Sequence, residues 1–163
     1  MVKYRYKINS SNTQMKVSSA LQSQILTKYI VADILIQLGR DNWLYKYNTH
    51  DLEFEFWTTG VWVKQAGTII SYAAIADYWR ELAAMQAEQL PLHKTTHGWL
   101  VRSRQDADKK YYVNWTKKYG WVCECMRYRC WKNRIPNELP QLYKALGNKV
   151  FCHHVAAAYY ARE

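Results

Sequence analysis

The chain has 163 residues, 49% of them hydrophobic and 15% aromatic, with eight Trp and fourteen Tyr; this excludes a disordered tail and suffices for a real core in one domain, or in a compact body with a small appended module. The net charge of +10 is uneven, with nine basic and eight acidic side chains in residues 1–93 against fourteen and five in 94–163. No stretch approaches the ~18–20 apolar residues of a membrane span and the opening MVKYRYKINSSNTQMK lacks a signal-peptide apolar region, so a soluble, intracellular protein, cytoplasmic or nuclear, is expected.

Val2, Tyr4, Tyr6 and Ile8 alternate with Lys3, Arg5 and Lys7, the pattern of a half-buried strand. From Val17 to Leu38, with Leu21, Ile25, Tyr29 and Ile36 near one face and Gly39 as the stop, the spacing predicts one long core helix. Leu52, Phe54 and Phe56 alternate with Asp51, Glu53 and Glu55, and Val61–Val63 follows across Thr58-Thr59-Gly60, which predicts a hairpin. Its acidic outer face would repel phosphate. The run from Ile69 to Leu90, closed by Pro91, is rich in helix formers, although Thr68–Tyr72 also suits a strand.

After Pro91 the texture changes to short aromatic strands at Gly98–Ser103, Tyr111–Thr116 and Trp121–Cys125, and a soft boundary falls near 91–97. A short proline-started helix is expected over Pro140–Leu146 and a final one over His153–Arg162. The fold class is therefore α+β: a strand, long-helix, hairpin and helix body over 1–93, then a small three-stranded module over 94–163 closed by a C-terminal helix.

All four cysteines fall between 123 and 152, beside His153 and His154. In a reducing compartment such clustering points to metal rather than to disulfides. On one strand Cys123 and Cys125 would face the same way, as two sulfurs of a tetrahedron must. Two residues spaced like Cys152 and His154 diverge in mid-helix, so they must straddle the start of the last helix. Three thiolates and one imidazole fill the coordination sphere of one structural zinc ion. Cys130 in place of Cys125 or Cys152, and His153 in place of His154, remain open at this level. His93 and His97 are spaced for a shared helical face, but Pro91, Thr95, Thr96 and Gly98 favour a loop.

Cys-x-Cys followed at a distance by Cys-x-His resembles the SWIM-type zinc finger. The matching text is WLVRS at 99–103, YYVNW at 111–115, WVCEC at 121–125 and FCHHVAAAYY at 151–160, so the resemblance covers about residues 98–162. It implies strands before the first cysteine pair, an alanine-bearing helix after the histidine, and binding of DNA or protein, as in transposases, chromatin proteins and recombination-accessory proteins. The 26 residues between Cys125 and Cys152 lie at or beyond the long end of the spacing expected for the family, as an insertion carrying the Pro140–Leu146 helix would explain.

The basic excess supplies candidate phosphate contacts: Arg102, Arg104, Lys109, Lys110, Lys117, Lys118, Arg127, Arg129, Lys132 and Arg134, interleaved with Tyr128 and Trp131. Guanidinium and ammonium groups neutralise phosphates while aromatic faces stack on bases. Nucleic acid, DNA ahead of RNA, is the expected partner, with a protein-interaction adaptor as the alternative. No phosphate loop, nucleophile elbow or nucleotide-binding signature is present, so no enzyme is expected. The sole nuclease-like feature is the Asp51, Glu53, Glu55 alternation, which solvated edge-strand charge explains better.

Overall fold

A computed structural model describes residues 12–162. The strand expected at Val2–Ile8 lies outside them. The chain divides into two compact units, one up to Ile75 and one from Ala76 onward.

In the first unit the expected long helix is two helices, α1 (Ser19–Ile25) and α2 (Lys28–Gln37). The break has a local cause. Leu26 is extended and fully buried, and the Thr27 hydroxyl accepts the backbone N–H of Ile30, starting a new helix as an N-cap. The apolar stripe breaks with it: Leu21, Ile25, Val31, Ile34 and Leu35 are buried, whereas Tyr29 and Ile36 are exposed. Gly39 stops α2 as expected; at φ 67° it lets its own N–H reach Ile36 O and the Arg40 N–H reach Leu35 O.

The hairpin forms from β1 (Phe54–Trp57) and β2 (Gly60–Val63), and β3 (Thr68–Ser71) adds a third antiparallel strand in the order β1-β2-β3. Phe56 pairs with Val61 and Val61 with Ile70, and all three side chains are buried. Thr68–Ser71 is thus strand. Helix α3 (Tyr72–Ala87) begins where the Ser71 hydroxyl accepts the Ala74 N–H.

The second unit holds a four-stranded antiparallel sheet, β4 (Leu92–Lys94), β5 (Trp99–Arg102), β6 (Lys110–Thr116) and β7 (Gly120–Cys123), paired in chain order. The expected three strands acquire β4, an exposed edge that carries His93. Val101 and Val113 are fully buried, and the last helix, α6 (His153–Tyr160), packs across β5, β6 and β7. Helix α4 (Met126–Glu138) follows the sheet and packs on β7 and on α5 (Pro140–Ala145). Its anchor is Trp131, 1% exposed and edge-on to Trp79 at 4.9 Å between ring centres. Pro136 removes one hydrogen bond from the last turn of α4, which ends two residues later.

Candidate metal centre

Three element ends meet beneath the sheet. Cys123 is the last residue of β7, Cys125 the N-cap of α4 and Cys152 the N-cap of α6, with His154 in the first turn of α6. The second pair therefore straddles a helix start, as its spacing requires. The first pair does not share a strand face: the chain leaves β7 at Cys123, and the turn into α4 swings Cys125 round to meet it.

All four side chains are buried, and their donor atoms lie within 4.8 Å of one another. His154 Nδ1 is 3.8 Å from both Cys123 Sγ and Cys152 Sγ. A tetrahedral zinc with bonds of about 2.3 Å to sulfur and about 2.0 Å to nitrogen sets its ligand atoms about 3.5–3.8 Å apart, so small side-chain movements close the sphere. Cys130 is a half-buried residue of α4, and neither it nor His153 is a member of the group. The buried Cys3His group fits one structural zinc ion.

The surroundings support thiolate. The Cys125 N–H donates to Cys123 Sγ at 3.4 Å and the Tyr128 N–H to Cys125 Sγ at 3.3 Å. Cys125 also sits at the positive end of the α4 dipole. Hydrogen bonds from the thiols of Cys123 and then Cys152 hold Cys125 far below the ordinary thiol range. Donating that bond pushes Cys123 up to about 12, and burial first of all pushes Cys152 well up. These directions favour the thiolate at Cys125 and the thiol at Cys123 and Cys152 when no metal is bound. Burial, and then the neighbouring His154, drop His153 to about 3, so it stays neutral. The His154 ring is walled in by Tyr111 at 4.6 Å and His153 at 4.1 Å between ring centres.

The basic residues separate into groups. Lys109, Lys110, Arg129 and Lys132 line one open cleft of about 590 Å³ together with Tyr111, Tyr128, Glu124 and the ligand Cys123. Arg102 is paired in register with Lys110 across β5 and β6, and Arg104 is exposed in the following turn. Lys117 and Lys118 occupy the β6–β7 turn. Arg127 is half-buried, its guanidinium 5.5 Å from the Trp79 ring centre and 5.8 Å from that of Trp131, and Arg134 faces Glu138 at 3.9 Å. These two are engaged within the fold.

The acids of the hairpin do not converge. The Asp51 carboxylate accepts the Asn48 N–H, Glu53 pairs with Lys64 at 3.1 Å and Glu55 accepts the Trp57 indole N–H. Among the described residues the Cys3His group is the cluster of metal-ligand type, and no helix is long and apolar enough to cross a membrane.

No known protein family, curated protein or solved structure matches the chain. Tyr119, Lys149, Tyr159 and Tyr160, none of them singled out by sequence reasoning, line a second concavity with Lys118 and Lys132. The aromatic–cationic run Lys117-Lys118-Tyr119-Gly120-Trp121 was the available signal.

Proposed function

We propose that this chain is a DNA-binding protein of the SWIM zinc-finger type, in which one structural zinc ion locks a basic face of the second unit in place. The observation that carries the reading is the cleft that Lys109, Lys110, Arg129 and Lys132 line together with the ligand Cys123. The metal ties the end of β7 to the starts of α4 and α6, and so sets where the Arg129 and Lys132 side chains stand relative to β6. Four protein ligands leave zinc no open position, so its role is structural. The Cys-x-Cys and Cys-x-His pairs, the strands before the first pair and the alanine helix behind His154 support the SWIM reading; α4 and α5 fill the long stretch between the two pairs. Reduced thiols favour work inside the cell, in a regulatory or recombination role.

The test is an anisotropy titration of zinc-loaded protein against DNA at several salt concentrations. Affinity should fall as salt rises, and Lys109→Glu, Lys110→Glu and Arg129→Glu should each weaken binding and flatten the log–log salt slope by about 0.9 for each phosphate no longer neutralised. Salt-insensitive binding, or affinity unchanged in all three variants, would remove the nucleic-acid reading. The adaptor alternative draws on exposed Tyr29, Ile36, Leu44 and Tyr45 of the first unit. It gains ground when no polynucleotide binds.

A further inference from the structure

Beside the basic cleft the second unit has a groove of about 630 Å³ that shares Tyr128 and Lys132 with it. Its walls come from the β6–β7 turn, β7, the segment after α5, and α6, through Tyr119, Trp121, Lys149, Tyr159 and Tyr160. Tyr119, Tyr159 and Tyr160 are 55%, 47% and 56% exposed. Rings of this size gathered at one concave surface mark a binding site rather than scattered surface apolarity.

Their arrangement suits a flat ligand. Tyr159 meets Trp121 at 76° and Tyr160 at 79° between ring planes. Edge-on contacts fix the rings in planes that cannot all stack on one another, so faces are left for a planar group to cover. The charge is of one sign: among the described residues, no Asp or Glu lines the groove. Lys118 and Lys132 stand 4.9 and 4.7 Å from the Tyr119 ring centre, and Lys149 is exposed at the wall. Arg80 also lines the groove, but it is held by Asp77 and by the Ala145 carbonyl, both at 2.7 Å.

We infer that this groove takes single-stranded DNA, with bases stacking on Tyr159 and Tyr160 and phosphates facing Lys118, Lys132 and Lys149. A duplex hides base faces in its own stack and offers a groove wall only phosphate and base edges. An unpaired strand offers both the face and the charge that this lining matches. Because Lys132 and Tyr128 border both concavities, the strand can continue from the groove into the basic cleft. The inference rests on the DNA-binding reading above and specifies the form of DNA.

The test compares labelled oligo(dT) of about 16 nucleotides with a duplex of the same length, using zinc-loaded full chain. Oligo(dT) should bind more tightly than duplex. Tyr159→Ala should weaken it about 5- to 150-fold and leave duplex binding unchanged, while Tyr159→Phe keeps wild-type affinity. Zinc content equal to wild type shows that each variant is folded. Equal binding of both forms with no effect of Tyr159→Ala, while Lys109→Glu and Arg129→Glu still weaken binding, overturns the groove and leaves the DNA reading standing. Failure to bind either form removes both. Oligo(U) bound tenfold more tightly than oligo(dT), or Tyr159-dependent binding of polyglutamate in place of oligo(dT), would assign the groove to RNA or to a protein and overturn the inference.

Discussion

Zinc binding should release about two protons near neutral pH, because Cys123 and Cys152 enter the site as thiols and Cys125 as a thiolate. All three sulfurs must be deprotonated to ligate the metal. Metal therefore competes with the protons on Cys123 and Cys152, and each contributes a tenfold change in apparent affinity per pH unit. Between pH 7 and 8 these two protons should raise the apparent zinc association constant about 100-fold, or about 2.7 kcal/mol at about 1.36 kcal/mol per proton per pH unit. Three ordinary, independent cysteines would release close to three protons and give a steeper rise. The difference is the Cys125 thiolate, held by its neighbours' thiol protons and the Tyr128 N–H. Calorimetry of zinc binding in buffers of different ionisation enthalpy counts the protons directly. A count of three would refute the thiolate at Cys125, and a count near zero would refute the whole hydrogen-bonded cluster.

The other expectations concern the frame around the site. Tyr72 donates its hydroxyl to the Trp57 carbonyl at 2.7 Å, and burial pushes it up to about 12. Its folded value lies above the unfolded one of about 10, so this contribution is fully present below about pH 10 and is lost as pH rises towards about 12; Tyr128, also pushed up to about 12 by burial, loses its share in the same window, so alkaline titration should show a smaller loss in Tyr72→Phe than in wild type. A Cβ added at Gly98 would fall onto the Val113 carbonyl oxygen and the Tyr112 ring, so Gly98→Ala should cost about 1–3 kcal/mol in urea unfolding. Trp131→Ala should cost about 3–5 kcal/mol in the same assay, while Trp131→Phe, which also removes an indole N–H buried without a partner, should cost less.

The metal centre was legible because ligand chemistry tolerates only a few spacings. Three buried sulfurs and a histidine in one short region leave little else to build, and Cys152 and His154 could converge only at a helix start. The path of Cys123 and Cys125 was not legible for the same reason reversed: a two-residue spacing is satisfied by a strand face and equally by a strand-to-helix turn. Cys125 acts as an N-cap, a role reserved in propensity reasoning for Ser, Thr, Asp and Asn, so the start of α4 stayed hidden. The long-helix expectation failed at Leu26-Thr27, where periodicity runs on unbroken but one hydroxyl takes an N–H and restarts the helix. Periodicity reports which side chains can be buried. It does not report where a side chain competes for the backbone. The clefts were least legible, since they join Tyr119, Lys132 and Tyr159, which only the packing of α4 and α6 on the sheet brings together.

The most direct test of the account is X-ray absorption at the zinc edge on the full chain purified without added metal. The account predicts one zinc per chain, with three sulfurs at about 2.3 Å and one nitrogen at about 2.0–2.1 Å, and an identical spectrum for Cys130→Ser. A four-sulfur shell, an oxygen in the first shell, or a chain that folds with no zinc bound would contradict it.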